Sequence, residues 1–314
     1  MNRQKFVEIA YQKGKELNLN NKQYLSWLDD FFNKQYCADV GAGDITSKAV
    51  LFKNEFKTAF FKVKSRGFLG GLEEVSWFLK KHQLDANLCF SDGEEVMKGE
   101  TVLIVKGDQK TILATERIVL NVLQRMSGIT TETKRLGDLL KDSNTQIAAT
   151  RKTLLSYIDK KAIYLGGGLT HRFGLWDSIL IKDNHLEALK SEGIADYAEV
   201  AIARASVYAD SVRFIEIEVT TVEEAVTAAR KFRNLHLKTP CAIMLDNMKP
   251  AMIAETLETL RECDPLYDSV LLEASGEITS ENIHEYAKTG VDVISLGYLT
   301  HSSTVLDLSL EMTF

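Results

Sequence analysis

The second half of the chain alternates short apolar strands with helical patterns, and this rhythm restricts the fold more than any other feature. From about residue 145, apolar runs occur at Thr145 to Thr150, Ser178 to Lys182, Phe214 to Val219, Cys241 to Leu245, Ser269 to Glu273 and Val291 to Leu296. Helical patterns lie near 186–206, 222–234, 250–263 and 280–288. Near-continuous apolar strands must be covered on both faces, and a repeated strand–helix unit does this with a parallel sheet. Six strands stand out and a seventh is expected near Ala162 to Leu165, which predicts an α/β fold with an incomplete, about seven-stranded parallel barrel. Local signals agree. Thr220 with Glu223 and Thr221 with Glu224 have capping-box spacing, Pro250 suits a first helical turn, and Gly290 suits a helix stop.

The residues ahead of this repeat have other patterns. Between 2 and 35, Phe6, Ile9, Ala10, Leu17, Leu25, Trp27, Leu28, Phe31 and Phe32 recur at mixed three- and four-residue spacing. That predicts two helices, the second capped by Asn20 or Asn21. From 56 to 110 the apolar runs shorten (Phe56 to Val63, Gly67 to Gly71, Thr101 to Val105), and the turn-rich stretch Asp92 to Glu100 predicts an antiparallel sheet. Residues 112 to 137 return to a helical pattern through Ile118, Leu120, Val122, Leu123 and Met126.

The polar residues just after each late strand point to function. The first strand runs into Arg151-Lys152, and the next into Lys182-Asp183-Asn184-His185. The others end in Glu218, Asp246-Asn247, Glu273-Ala274-Ser275-Gly276 and Gly297. Carboxyl ends of parallel strands share one rim, where α/β folds build active sites, so Lys152, Lys182, Glu218, Asp246, Ser275 and Gly297 are expected to converge. The two-residue period puts Phe214, Glu216 and Glu218 on one strand face and Ile215, Ile217 and Val219 on the other. Two carboxylates facing an apolar interior need cations or a metal beside them. Arg151, Lys152, Lys182 and Thr170-His171-Arg172 are the candidates.

Charge narrows the ligand class. The chain has 38 Lys+Arg against 44 Asp+Glu, a net −6, which argues against a general nucleic-acid or acidic-membrane surface. No run of apolar residues is long enough to span a membrane. Within this acidic chain Arg151, Lys152, His171, Arg172, Lys182 and His185 form a basic group, and arginine forks suit carboxylate and phosphate. Gly166-Gly167-Gly168 permits close backbone approach, and the ends of the last two strands can offer amides to a phosphate. These features predict a phosphorylated, polyanionic small-molecule substrate. Magnesium would be held mainly through that substrate, because no dense protein ligand cluster is visible in the sequence. The start, Met1 to Lys5, leads into a polar segment, and Cys37, Cys89, Cys241 and Cys263 lack zinc-ligand spacing. Reduced thiols and a cytoplasmic location are expected.

At these residues the sequence resembles the quinolinate phosphoribosyltransferase family. The matching phrases are Gly43-Asp44-Ile45-Thr46-Ser47, Glu116-Arg117 through Asn121-Val122-Leu123-Gln124-Arg125-Met126-Ser127-Gly128-Ile129, and Thr150-Arg151-Lys152-Thr153. They continue with Gly166-Gly167-Gly168-Leu169-Thr170-His171-Arg172, Leu180-Ile181-Lys182-Asp183-Asn184-His185, Glu216-Ile217-Glu218-Val219 and Leu245-Asp246-Asn247-Met248. The last run from Thr289 to Gly297 and from Leu299 to Ser302. All appear in the family's order.

The resemblance implies an N-terminal α/β sandwich over 1–118, with the tail 303–314 returning to it, and an α/β barrel over 119–302. It implies a homodimer in which Arg117 reaches the neighbouring subunit's site. The implied reaction moves phosphoribosyl from phosphoribosyl pyrophosphate to quinolinate with decarboxylation, giving nicotinate mononucleotide, pyrophosphate and carbon dioxide. On that reading Glu218 and Asp246 stabilise an oxocarbenium-like ribose and hold its hydroxyls or magnesium. Lys152 and Lys182 neutralise the leaving pyrophosphate. Arg117, Arg151, His171 and Arg172 hold the two carboxylates, and His185, Asn247, Ser275, Gly276 and Gly297 complete the substrate site.

Three positions depart from the family pattern. Thr153 is followed by Leu154-Leu155-Ser156-Tyr157-Ile158, a shorter stretch than the family's; Ala149 stands where an Asp is common; and Glu277 replaces a glycine. The first bears on which base is bound, and the last places a carboxylate beside the expected phosphate. Two alternatives therefore stay open: a related phosphoribosyltransferase that uses another acidic base without decarboxylation, and a catalytically silent paralogue.

Overall fold

The computed structural model describes residues 3–263 and 269–313. The chain divides into two compact units. One comprises Gly14–Lys134, Leu154–Gly167 and Ser302–Phe314; the other comprises Met1–Lys13, Arg135–Thr153 and Gly168–His301. Strands are numbered in chain order: β1 (Phe56–Val63), β2 (Gly67–Phe68), β3 (Asp85–Leu88), β4 (Glu95–Val96), β5 (Thr101–Asp108), β6 (Gln146–Ala148), β7 (Ile179–Ile181), β8 (Ile215–Val219), β9 (Cys241–Asp246), β10 (Val270–Ser275), β11 (Val293–Ser295) and β12 (Leu308–Met312).

The unit containing Gly14–Lys134 is built on an antiparallel sheet of order β12-β1-β5-β3, with β2 and β4 paired separately. In β1, Ala59, Phe61 and Val63 alternate onto the buried face, as a half-buried strand requires. The helix Lys22–Val40 begins where Asn21 accepts from the amides of Gln23 and Tyr24, and it buries Tyr24, Leu28 and Phe32 along one stripe. The expected helix at 112 to 137 is part of Gln109–Leu139. Two sequence expectations change here. Residues 56 to 110 are not all sheet: Leu72–Lys81 is a helix, its first amides capped by the Asp92 carboxylate at 2.8 and 3.2 Å. The seventh strand expected at Ala162 to Leu165 is the end of the helix Tyr157–Leu165. Four apolar residues in a row cannot distinguish strand from helix by period alone. The polar residues before them decide it. Asp159 pairs with Arg125 at 2.7 Å and accepts from the Leu155 amide, and Lys161 pairs with Glu73 and with buried Glu74.

The other unit carries six parallel strands in the order β6-β11-β10-β9-β8-β7. Because β6 pairs with β11, the first strand lies beside the last, and the sheet is an open barrel. On the outer side of β6, Leu169 makes a single parallel bridge with Ala148. The barrel helices match their signals closely. Thr221 caps Val222–Leu235 by accepting from the Glu224 amide, while the Glu224 carboxylate accepts from the Thr220 amide. The helix expected near 186–206 is two, Asp183–Ser191 and Tyr197–Ser206. Gly193, at φ +80°, comes just after the first and provides the backbone conformation that ends it.

The barrel interior is filled from below by the helix Arg3–Tyr11. Its Val7, Ala10 and Tyr11 pack with Ala148, Leu169, Phe214, Ala242, Leu271 and Val293, mostly one residue from each strand. Full burial of such side chains stabilises a fold by roughly 1.5–3 kcal/mol for each large one. Arg3 fixes the helix start through Asp292 (2.5 and 2.8 Å) and the Val270 carbonyl (2.9 Å). Among the described residues no helix is long and apolar enough to cross a membrane.

Candidate active site

At the carboxyl ends of the parallel strands, most of the expected side chains meet. Past β6, Lys152 is held by its carbonyl, which accepts from the Thr300 hydroxyl at 2.6 Å. Its aliphatic stem crosses Gly297, where an added Cβ would lie 3.1 Å from Lys152 Cδ. Past β7, Lys182 caps the helix Asp183–Ser191, and its amide donates to His185 Nδ1 at 2.9 Å. The Lys182 ammonium pairs with Glu218 at the end of β8. Asp246 ends β9 and accepts from the Asn247 amide group at 2.8 Å; the Asn247 backbone N–H donates to Ser275 O at 2.9 Å. Gly276 comes next in the chain, at φ +96°.

The electrostatics bind these groups into one field. Burial pushes the Glu218 carboxyl above its ordinary range; Asp246 and Asp183 push the same way, and Lys182 opposes them. Burial and then the like charge of Arg151 hold Arg172 below the ordinary arginine range, while Glu216, Glu218 and Asp177 pull it back. Arg151 and Glu218 thus act on Arg172, and Lys182 and Asp246 act on Glu218. Glu277 turns outward: its side chain is 82% exposed and lies 3.7 Å from the Lys249 ammonium. Arg117 is exposed on the helix Gln109–Leu139, in the other compact unit.

His171 differs from the sequence expectation of a substrate-binding cation. Its ring is 4% exposed, at φ +53°, between Tyr11 and Phe214. Nε2 lies 3.3 Å from Glu216 and 3.2 Å from Glu273, and Nδ1 accepts from the Arg172 backbone N–H at 2.8 Å. The strand-parity reading holds, since Glu216 faces inward to His171 and Glu218 to Lys182. The buried cluster itself was not visible in the sequence. Glu273 looked like part of a phosphate loop, and Tyr11 comes from the far end of the chain; its hydroxyl donates to Glu216 at 3.0 Å. The parity of Glu273 on its strand was the available signal.

Two groups could hold an ion. Glu218 and Asp246 offer oxygen donors at the open rim, the one-or-two-carboxylate set with which magnesium commonly binds alongside substrate phosphates. His171, Glu216 and Glu273 have ligand atoms within 4.8 Å of one another, but they fit a proton better than a metal. Because Nδ1 accepts from Arg172, the ring proton sits on Nε2, the lone pair a metal would need. Burial disfavours charge on His171, yet Glu273 and Glu216 raise it to about 9; burial and then Glu273 push Glu216 up to about 7. Groups this close titrate as a unit.

A parallel barrel whose carboxyl rim combines lysines and arginines with two carboxylates defines an enzyme site for anionic small molecules. The profile described as quinolinate phosphoribosyl transferase, C-terminal domain, matches residues 129–311, and that of the N-terminal domain matches 44–127. The chain belongs to the quinolinate phosphoribosyl transferase family. It is 37% identical over 287 residues to a probable carboxylating nicotinate-nucleotide pyrophosphorylase of Methanothermobacter thermautotrophicus, covering 90% of this chain and 98% of that one. A Bacillus subtilis protein of the same description is 35% identical over 302 residues, covering 94% and 95%. The solved nicotinate-nucleotide pyrophosphorylase of Francisella tularensis superposes with a TM-score of 0.76 at 30% identity, covering 92% of this chain and 96% of that one.

Proposed function

We infer that this chain transfers phosphoribosyl from phosphoribosyl pyrophosphate to quinolinate and decarboxylates the product to nicotinate mononucleotide. What supports this reading is the ion pair of Lys182 with Glu218 at the ends of β7 and β8, with Asp246 ending the neighbouring β9 and Arg151 and Glu218 both acting on Arg172. Quinolinate brings two carboxylates, which Arg151 and Arg172 hold so that the ring nitrogen faces C1 of the ribose. The nitrogen lone pair forms the bond to C1 as the bond to pyrophosphate breaks, and pyrophosphate leaves with that electron pair beside Lys152 and Lys182. Glu218 and Asp246 stabilise the positive charge that develops on the ribose. The alkylated nitrogen is cationic. The bond from C2 to its carboxylate then breaks, carbon dioxide departs, and the electron pair left on C2 is stabilised by that cation until a proton from water replaces it. Glu218 and Asp246 would also hold magnesium, which supplies charge neutralisation to the pyrophosphate when bound. The free thiols Cys37, Cys89, Cys241 and Cys263 suit a reducing, cytoplasmic compartment.

The test uses quinolinate labelled in its 2-carboxylate together with phosphoribosyl pyrophosphate. The expected result is labelled carbon dioxide, pyrophosphate and nicotinate mononucleotide in equal amounts. Turnover of another acidic base without carbon dioxide would replace this reading with the non-decarboxylating one, and no turnover of any base would favour a silent paralogue.

The enzyme works as a homodimer to which Arg117 contributes across the subunit interface. Arg117→Ala and Lys182→Ala, each inactive alone, should regain roughly a quarter of wild-type activity when co-expressed, because each mixed dimer then holds one intact site. Absence of recovery at confirmed mixing would place Arg117 outside the neighbour's site.

A further inference from the structure

The segment that carries Arg172 is gripped at both ends by three residues from the start of the chain. At its beginning, the Tyr11 carbonyl accepts from the His171 amide at 2.9 Å and from the Thr170 hydroxyl at 3.1 Å. The Lys13 amide donates to the same hydroxyl at 2.9 Å, and the Gln12 side chain donates to the Gly168 carbonyl at 3.0 Å. At its end, the Lys13 ammonium lies 2.8 Å from Asp177, with side chains 9% and 4% exposed. The other Asp177 oxygen accepts from the Phe173 amide at 2.7 Å, and the ammonium sits 4.7 Å from the Phe173 ring centre and 5.3 Å from that of Trp176.

Such a grip has a purpose at this place. Arg172 stands in the field of Arg151, and two guanidinium groups without a dianion between them repel. The turn that leads into Arg172 is strained as well, since His171 has a positive φ, which a non-glycine residue adopts only at a cost. Arg172 is itself buried, and its Nη1 donates to the Ser178 carbonyl at 3.1 Å, so the place of its guanidinium follows the segment 170–178 that the grip bounds. We propose that Tyr11, Gln12 and Lys13 form a clamp, and that Lys13 and Asp177 are positioning residues which hold Arg172 ready for the two-carboxylate acid. The proposal rests on the assignment of quinolinate as substrate. It adds that the N-terminal helix, besides filling the barrel, sets affinity for one of the two substrates.

Loss of the clamp should affect the acid and spare the sugar. In Lys13→Met the KM for quinolinate should rise about tenfold while that for phosphoribosyl pyrophosphate stays within about twofold, and Lys13→Arg should restore most of the loss. Amide hydrogen exchange across 170–178 should quicken in Lys13→Met with the rest of the barrel unchanged. Breaking a buried pair can unfold a protein, so Asp177→Asn, which keeps an acceptor for Phe173, is the milder companion and should show the same selectivity. Equal rises in both KM values, or no rise in either, in a folded variant would overturn the clamp. If the wild-type protein fails to use quinolinate, the functional reading falls separately. The exchange measurement then decides the clamp, and unchanged exchange at 170–178 would refute it.

Discussion

Glu218→Gln should lower kcat by about 10²–10³-fold and leave the melting temperature unchanged or higher. Both halves derive from the environment of this carboxylate. In the proposed reaction it is the ionised group beside the developing ribose cation, and glutamine keeps its shape without its charge. Burial raises its pKa in the folded chain above the ordinary glutamate value. The folded state therefore binds the Glu218 proton more tightly than the unfolded state does. Ionised Glu218 subtracts from stability above that raised pKa, and the penalty is relieved as pH falls through it. Glutamine removes the penalty, while the partner ammonium of Lys182, with 41% of its side chain exposed, remains solvated. The pH profile carries the same sign. Activity needs the carboxylate, so the acid limb of kcat should lie above the ordinary glutamate range. Lys182→Met, which removes the cation that opposes the shift, should raise the Glu218 pKa further, read by NMR titration of the carboxyl rather than from turnover. A Glu218→Gln enzyme within tenfold of wild type, or a marked fall in its melting temperature, would remove Glu218 from the chemistry.

The strands and the rim were legible because their signals are local. Apolar runs, a polar residue at each end and the parity of Glu216 and Glu218 need only neighbours in the sequence, and they place Lys152, Lys182, Glu218 and Asp246 correctly at strand ends. Ala162 to Leu165 failed because a four-residue apolar run has no period, and the ion pairs of Asp159 and Lys161 that favour a helix are made with residues far away in the chain. Gly193 was a readable break that the apolar rhythm overrode.

The interior was illegible for a different reason. The resemblance implied one domain over 1–118, yet Arg3–Tyr11 packs with residues of the parallel strands up to Val293 and belongs to the same compact unit. An amphipathic helix shows which face is buried but not against what. His171 and Arg172 are adjacent and both basic, so composition treats them alike. The positive φ of His171 sends its ring inward to two glutamates, while Arg172 stays in the field of Arg151. Backbone handedness at a residue other than glycine is set by the surrounding contacts, here by Tyr11 and Thr170, rather than by the residue itself.

Gly276→Ala should destabilise the protein by about 2–4 kcal/mol and lower kcat about 10²-fold without removing any functional side chain. Two effects add. At φ +96° any side chain is strained. A Cβ built there would also lie 2.7 Å from Asn247 Cγ and 2.9 Å from Asn247 Cα. The second contact is with backbone, so turning the Asn247 side chain cannot relieve it. Asn247 has little freedom to retreat, being itself at φ +55° with its N–H bonded to Ser275 O. The displacement passes to Asp246, which pairs in register with Ser275 at the ends of β9 and β10. The Asp246 carboxylate then moves although its chemistry is intact. Gly193→Ala separates the two effects: φ is +80° there and nothing lies within 4 Å of an added Cβ, so only the strain remains. Thermal unfolding and kcat for both variants make the comparison. Gly276→Ala should lose stability beyond the Gly193→Ala value and lose turnover as well, whereas Gly193→Ala should keep wild-type kcat. Equal behaviour of the two would mean that the close approach of Gly276 to Asn247 does not set the position of Asp246.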